Sequence, residues 1–216
     1  MDQNPDTPVL RADAERNRAR IIAAAREVFA EEGLTAPMEA IARRAGVGAA
    51  TLYRRFPTRT DLIAGTFENK MAAYADAVGQ ALADPDPWNG FREYVERVCA
   101  MQAEDRGFTD VLTLTFPTAK QFEAARLRAY DGWVELITRA KATGRLRADF
   151  VPEDLIVLLM ANAGVIAATG DAAPDTWRRQ LAYLLQAYAA PGEPLPPPPE
   201  PRRLYRALLR LQPKDT

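Results

Sequence analysis

GLTAPMEAIARRAGVGAATLYRRF, residues 33–56, contains two short helical patterns separated by Ala45-Gly46-Val47. Between residues 40 and 60 the chain has five arginines and no aspartate or glutamate, although the whole protein carries a net charge of −1. A local positive charge of this kind on a near-neutral chain indicates a polyanionic partner. A helix, a short turn with glycine and a second helix form the pattern that lays a helix in the major groove of DNA. The stretch therefore predicts a DNA-binding surface.

The composition is that of a folded protein with a basic front end. The chain has 216 residues, of which 48% are hydrophobic and 26% charged, so it can bury a sizeable core. Residues 11–62 sum to +3, while the first ten residues and residues 63–216 each sum to −2. A single cysteine, Cys99, cannot form an internal disulfide, and no signal sequence or run of 18 apolar residues is apparent. We therefore expect a soluble, cytoplasmic protein.

The residue types that are missing argue against an enzyme. The chain has no histidine, so it offers neither a Ser–His or Cys–His pair nor a histidine metal ligand. A lone cysteine provides no thiolate cluster for zinc, and the twelve glycines form no phosphate-binding loop. Carboxylate-only catalysis stays possible, but no pair is marked for it. We expect a protein that is not an enzyme and that has no cofactor or metal.

Hydrophobic spacing predicts helices throughout and no strand, which makes the chain all-α. Residues 1–12 lack periodicity and are expected to be disordered, and a helix follows from Asp13 to the stop at Gly33. Pro37 begins a second helix, residues 48–55 form a third, and Thr58 with Asp61 caps a fourth. Later helices are predicted for residues 88–104, 118–143, 153–170, 173–190 and 202–211, with a short apolar segment at 108–116.

Three segments resemble the tetracycline-repressor-like (TetR/AcrR) family of bacterial transcription regulators. They are AREVFAEEGL (25–34), MEAIARRAGV (38–47) and TLYRRFPTRTDLI (51–63). The resemblance implies a helix-turn-helix domain over residues 13–64, with the motif at about 37–56, and a helical ligand-binding and dimerisation domain over 65–190. Residues 191–216 form a proline-rich tail with a short helix. The family also implies a homodimeric repressor that a small ligand releases from a double-stranded DNA operator.

The resemblance assigns DNA contacts to the second, third and fourth helices. Arg43 and Arg44 are weaker candidates, which could instead pair with Glu39 or Asp61. Tyr53 has the alternative of packing on its own helices. The small residues at 48–50 depart from the family, because they cannot hydrogen-bond a base edge, although they can touch a thymine methyl group. The predicted DNA-binding residues are Met38, Gly48, Ala49, Ala50, Thr51, Tyr53, Arg54, Arg55 and Arg59.

Polar-capable residues within the later apolar helices permit a mostly apolar ligand pocket. The alternative for each of them is a place in an ordinary core with its polar atoms satisfied. The pocket candidates are Trp88, Cys99, Gln102, Thr113, Tyr130, Trp133 and Asn162.

The helix from Leu155 to Ala168 is too apolar to have a solvent face, and its small residues allow close helix approach. It predicts a homodimer interface, with burial inside one subunit as the alternative. The interface candidates are Leu155, Leu158, Leu159, Gly164, Leu181, Leu184, Leu185 and Tyr188. The run PLPPPPEP is expected to be a stiff spacer that lets residues 202–211 dock on the body.

Two classes of function remain after this reasoning. The first is a ligand-responsive DNA-binding regulator, and the second is a helical binding or scaffold protein that no longer reads DNA. The acid-free arginine window favours the first, since a surface that had lost DNA binding would not need to exclude acids.

Overall fold

The computed structural model describes residues 6–113 and 119–210, and within them the side chains of 13–105, 107–112 and 119–207. Ten α-helices and a short 3-10 turn (Gly170–Ala172) make up these ranges, which contain no named strand. The all-α prediction is confirmed. The helices are α1 (Asp6–Glu32), α2 (Met38–Ala45), α3 (Ala49–Arg55), α4 (Arg59–Leu82), α5 (Pro87–Glu104), α6 (Arg106–Thr113), α7 (Lys120–Ala142), α8 (Asp154–Thr169), α9 (Thr176–Tyr188) and α10 (Pro201–Arg210).

The described residues form two compact units, residues 6–68 and residues 69–113 with 119–210. In the first unit, α1 and α2 enclose a small core that α3 and the start of α4 complete. Its fully buried side chains include Ile21, Phe29, Ile41, Leu52 and Leu62.

The ends of the first four helices follow from local chemistry. α1 begins at Asp6, so the disorder predicted for residues 6–12 is wrong. Pro8 is tolerated there because the first helical turn leaves its N–H groups unpaired in any case. The predicted cap of α4 is present: the Thr58 hydroxyl accepts from the Asp61 N–H at 3.1 Å, and the Asp61 carboxylate accepts from the Thr58 N–H at 3.1 Å.

The second unit is built around stacked aromatic rings from α5, α7 and the loop before α8. The Phe91 and Trp133 rings lie 5.3 Å apart, and Phe150 meets both rings edge-on. Gly132 allows α7 to approach α4 closely, since a Cβ at that position would lie 2.7 Å from a Val78 methyl group. The core of this unit is therefore aromatic and non-local in sequence.

One described segment, residues 154–172, is long and apolar enough to cross a membrane by length and composition alone. The sequence has no run of 18 apolar residues here, because Asp154 and Asp171 bound the apolar stretch. Of this segment 22% is buried inside the chain, and the other residues are half-buried or exposed. The exposed ones include apolar residues on one side of the helix.

The proline-rich tail is fastened where it leaves the second unit. The buried Arg147 guanidinium donates to the Asp149 carboxylate at 2.9 Å and to the backbone oxygens of Ala187 and Glu193. The Leu195 N–H donates to the same carboxylate at 3.0 Å. Beyond this point the tail is exposed, and the α10 side chains that are described are exposed or half-buried. The predicted docking of α10 on the body is not seen for these residues.

Candidate nucleic-acid interface

Helix α3 presents one face to the core and the other to solvent. Leu52 is fully buried and Phe56 nearly so, which anchors the helix in the first unit. The opposite face of α3 is turned away from this core. Exposed residues there are Gly48, Ala49, Ala50, Tyr53, Arg54 and Arg55, and Thr51 is half-buried.

The turn between α2 and α3 is held from α1 by Arg20. Its guanidinium donates to the Ala45 carbonyl at 2.7 Å and to the Gly46 carbonyl at 3.2 Å. Gly46 has φ +63°, a left-handed conformation that favours glycine. Arg20 thus satisfies carbonyls at the end of α2 and fixes where α3 begins. Residue spacing within the motif gives no signal for this contact, which crosses 25 positions of sequence.

A hydrogen bond between two exposed side chains links α2 and α3 on the solvent face. The Tyr53 hydroxyl donates to a Glu39 carboxylate oxygen at 3.0 Å. This bond to Glu39 raises the pKa of the Tyr53 phenol above its ordinary value of 10.0. Tyr53 is 41% exposed and is bonded to α2 of its own unit, so contact with its own helices and a role in DNA contact can both hold. Glu39 was not among the predicted site residues.

The arginines of the acid-free window are partly neutralised by acids from α1. Arg44 donates to Glu27 at 3.0 Å and to Glu31 at 2.9 Å, and these bonds raise its pKa. The expected pairing of Arg44 with Glu39 or Asp61 is therefore wrong. Arg55 pairs with Glu15 at 3.5 Å. The sequence window is acid-free, but folding brings carboxylates to it from 13 to 40 residues upstream.

Two of the arginines stay exposed, and among the described side chains neither has an ion pair or hydrogen bond. They are Arg43 at the end of α2 and Arg54 on α3. Arg59 is half-buried and donates to the carbonyls of Leu34 and Ala36, the loop that precedes α2. A guanidinium has five N–H donors, so further donors of Arg59 stay available to a ligand.

Met38 differs from the other predicted DNA-binding residues. Its side chain is only 4% exposed and packs in the core of the first unit, so it cannot reach a base edge. The buried face of α2 requires an apolar residue at this position, since Ile41 and Ala42 lie on the same face. Only the backbone of Met38, at the first turn of α2, is placed to meet a phosphate.

An open concavity of about 460 Å³ lies beside α2 and α3. Tyr53 and Glu39 stand on its wall together with Arg59, and Glu39 is the one carboxylate among its lining residues. The complete lining is Thr35, Pro37, Met38, Glu39, Tyr53, Pro57, Thr58 and Arg59.

None of the pocket candidates whose side chains are described lines the concavity beside α3 or the cleft of the second unit that is described below. The Asn162 amide donates to Gln102 at 2.9 Å and to the Cys99 carbonyl at 3.3 Å, and Gln102 donates to the Leu159 carbonyl at 3.3 Å. Burial raises the pKa of the Cys99 thiol to about 12. These residues form a satisfied polar network, which was the alternative interpretation.

The remaining pocket candidates also lie elsewhere. Trp88 and Trp133 are buried in the aromatic core, where the Trp133 indole N–H donates to the Pro152 carbonyl at 3.1 Å. Tyr130 is 50% exposed on the outside of α7. The side chain of Thr113 lies outside the described residues.

A different cleft, of about 670 Å³, opens between α4 and α5 of the second unit. Alanines form much of its wall, and side chains of both charges surround them. This mixture differs from the mostly apolar pocket that the sequence predicts. The lining residues are Lys70, Ala73, Ala77, Gln80, Ala81, Glu93, Tyr94, Glu96, Arg97, Ala100, Met101, Glu104 and Arg178.

The leucines predicted at the homodimer interface are mostly buried in their own subunit. Leu155, Leu158 and Leu159 of α8 are at most 5% exposed. Leu181 and Leu185 of α9 are buried as well, while Leu184 and Tyr188 are half-buried. Gly164 is exposed, as the prediction requires. Together with Gly164, the exposed residues of α8 recur at helical spacing. They form what we call the α8 stripe: Val157, Met160, Ala161, Gly164, Ala167 and Ala168.

Comparison with family models finds two matches along the chain. Residues 21–65 match the model described as bacterial regulatory proteins, tetR family. Residues 86–186 match the model described as the C-terminal domain of SbtR-like transcriptional regulators. The first match covers α2, α3 and the surfaces described above, and the second covers the aromatic core and the α8 stripe.

Individual proteins agree with these matches. An HTH-type transcriptional regulator of Staphylococcus aureus is 44% identical over 54 residues, and the match spans 24% of this chain and 29% of the length of that curated relative. A TetR transcription regulatory protein from Mycobacterium vanbaalenii is 31% identical with a TM-score of 0.50, and covers 84% of this chain and 99% of its own. The regulator FadR of Bacillus subtilis, solved in complex with stearoyl-CoA, is 16% identical with a TM-score of 0.56. It covers 76% of this chain and 96% of its own, and this likeness concerns the fold alone.

Proposed function

The chain belongs to the TetR family of bacterial transcription regulators, which are not enzymes, and from this premise we propose that it is a cytoplasmic homodimeric repressor that a small ligand releases from its operator. One observation supports the proposal most directly: α3 is anchored by buried Leu52 while its other face is free for a DNA groove. Under this proposal the first unit binds DNA, and the second binds the ligand and the partner subunit.

The chemistry of the α3 face suits the DNA major groove. Arg54 is exposed, and Tyr53 adds a directed hydroxyl. Ala49 and Ala50 bring no hydrogen-bonding group, so their contribution is close backbone approach and contact with thymine methyl groups. Phosphate contacts set affinity and its salt dependence, and contacts to base edges set specificity.

The DNA-binding part is tested by selecting bound sequences from random duplexes and titrating the protein on the best of them across a salt series. Arg54→Ala and Arg59→Ala should each weaken binding and lower the salt slope by about one if they contact phosphates. Arg92→Ala is the matched control, because it removes an exposed arginine of the second unit that pairs only with Glu96. Unchanged slopes in both variants would reject their assignment.

The α8 stripe supports the homodimer. Its six residues include four alanine or glycine positions, which let two helix backbones approach closely, and Val157 and Met160 are 47% and 40% exposed. A membrane would satisfy the same apolar surface. We assign the stripe to a second subunit, because two copies of the DNA-binding unit are needed to occupy two half-sites about 34 Å apart.

A glycine-to-arginine exchange tests this interface. A Cβ at Gly164 meets nothing within 4 Å, and the same is true of Gly79 on α4, and both glycines are exposed, so each site has room for a side chain to start toward solvent. Gly164→Arg should give monomers that lose operator binding, while Gly79→Arg should stay dimeric. Light scattering at micromolar concentration reports both results, and a wild-type monomer would reject the homodimer.

The ligand part is carried by the cleft between α4 and α5. Its alanine walls and its charged residues of both signs suit a small molecule with an apolar body and an ionised group. A ligand releases the operator only through its different affinity for two states of the protein, a coupling of about 1–3 kcal/mol. A thermal-shift screen of such molecules, followed by operator titrations, should find one that lowers DNA affinity severalfold.

The reciprocal effect gives the decisive measurement. Operator DNA must weaken this ligand by the same factor. Arg97→Ala should reduce ligand affinity, whereas Arg92→Ala, five residues earlier on α5 and not among the lining residues, should not. If a ligand binds in the cleft without changing DNA affinity, dimerisation is the only role left for the second unit. If the protein binds no duplex DNA, the alternative of a helical scaffold protein is favoured.

A further inference from the structure

Glu39 occupies an unexpected place on a surface proposed to face DNA. It is exposed at the first turn of α2, and it is the one carboxylate among the residues that line the concavity beside α3. A carboxylate there repels phosphate, so it lowers affinity for DNA in general. It is nevertheless bonded to Tyr53, an exposed hydroxyl donor on α3.

The Tyr53 hydroxyl has one proton to donate. In the free protein that proton is given to Glu39 at 3.0 Å. A phosphate oxygen and the Glu39 carboxylate are both acceptors, so Tyr53 cannot donate to the two at once. Engagement of the DNA backbone by Tyr53 therefore requires that Glu39 be released.

A released Glu39 needs a donor. In the major groove the exocyclic N4 amino group of cytosine is the donor that suits a carboxylate, while adenine suits the amide of glutamine or asparagine. On a duplex without cytosine at the facing position the carboxylate finds no donor on the DNA, and only the Arg59 guanidinium, which lines the same concavity and is itself assigned to phosphate, stays near it. The exchange of partners is then unfavourable on most sequences and favourable on a subset.

We propose that Glu39 is a specificity-determining residue, which holds the Tyr53 hydroxyl in the free protein and accepts from a cytosine amino group in the operator complex. This inference rests on the proposed DNA-binding function. It assigns a role in base selection to α2, whereas the alanines at the start of α3 offer no hydrogen bond to any base.

The test compares base preferences of the wild type, Glu39→Gln and Glu39→Ala, selected from random duplex DNA by the full-length protein. The wild type should show a cytosine preference at one position of each half-site. Glu39→Gln should change that preference to adenine, because a glutamine amide pairs with the adenine edge. Glu39→Ala should lose the preference and bind random duplex DNA about five- to tenfold more tightly, since the repelling charge is gone.

A second measurement separates the exchange of partners from a simple charge effect. When the wild type binds DNA, Tyr53 gains a hydrogen bond to phosphate but loses its bond to Glu39. Tyr53→Phe removes both bonds, so it should weaken binding to random duplex less than about twofold. In the Glu39→Ala background the same change should cost about tenfold. Glu32→Ala is the matched control, because it removes an exposed acid of the first unit that does not line the concavity.

Two results would overturn the inference. One is an unchanged base preference in both Glu39 variants, and the other is an equal cost of Tyr53→Phe with and without Glu39. Either result leaves the DNA-binding proposal intact as long as the wild type selects a sequence. A wild type that selects none and shows no salt-dependent binding would reject the proposed function itself, independently of Glu39.

Discussion

The two units of this protein bury their polar groups in opposite ways. In the first unit, charged side chains hold loops from the outside, as Arg20 does for the turn at Gly46. In the second unit, an amide network between Gln102 and Asn162 and an indole N–H lie inside an aromatic core. The contacts of the first unit therefore lie at its surface. The second unit has an aromatic interior and exposes one stripe of its most apolar helix.

The largest effect is expected from the centre of the second unit. Trp133→Ala removes a nearly fully buried ring that stacks on Phe91 and whose N–H donates to the Pro152 carbonyl. Loss of that much packing should lower the free energy of unfolding by about 3–5 kcal/mol. Urea unfolding followed by circular dichroism measures it.

Trp133→Phe is the matched variant for this position. It keeps an aromatic ring against Phe91 and removes the bond to Pro152, so it should cost less than Trp133→Ala. Equal and small losses for both variants would show that the second unit is loosely packed, and the contrast between the units would then fail.

A smaller effect is expected from the polar network. Asn162→Ala leaves the buried Gln102 side chain and the Cys99 carbonyl without their donor, which should cost about 1–3 kcal/mol in urea unfolding. Thr138→Ala, which removes an exposed bond to the Val134 carbonyl, is the control and should stay within about 0.5 kcal/mol. A neutral Asn162→Ala would reopen the possibility that this residue faces a ligand.

These comparisons also explain what the sequence could predict. The helix ends at Gly33 and Gly46 and the cap of α4 depend on neighbours within a few residues, so spacing and turn chemistry were sufficient for them, although the start of α1 was placed too late. Thr58 with Asp61 is one example, and Gly46 is another. The same reasoning failed on α8, because every face of an all-apolar helix looks equally ready for burial. Which face packs inside, as Leu158 does, depends on α9, the next α-helix, and on α5, which lies far earlier in the sequence.

For the candidate DNA-binding surface, the sequence likewise predicted local features but not contacts between helices. Arg54 and Tyr53 could be placed on the outer face of α3 from the motif. The partner of Tyr53 could not, because Glu39 lies 14 positions away on another helix. Arg44 shows the same limit, since its carboxylate partners on α1 come into reach only once the first three helices have packed.

Two glycine-to-alanine exchanges, one in each unit, should change the free energy of unfolding in opposite directions. Gly46→Ala places a Cβ in a left-handed residue and 2.7 Å from the Arg20 guanidinium, so it should destabilise by about 1–2 kcal/mol. Gly79→Ala on α4 meets open space in a helix interior and should stabilise by about 0.5–1 kcal/mol. Chemical unfolding of both variants gives the comparison, and stabilisation by Gly46→Ala would contradict the structure.

The smallest effect is local and concerns the hydrogen bonds of Arg147 and Asp149 that hold the start of the tail, which we call the tail latch. The bonds from Arg147, and then the N–H of Leu195, hold the pKa of Asp149 well below its ordinary value of 3.8. A carboxyl whose pKa is lowered by folding contributes stability above its unfolded pKa and loses it as the pH falls through the folded value. The latch should therefore survive acidification to about pH 4 and open only at lower pH.

The Leu195 N–H, followed by hydrogen exchange in NMR, should stay protected from pH 7 to about pH 4. Asp149→Asn should lose that protection already at pH 7, whereas Asp175→Asn, which removes only a surface pair with Arg178, should keep it. Loss of protection near pH 5 in the wild type would mean that Arg147 does not hold this carboxylate, and that the tail leaves the second unit without a fixed direction.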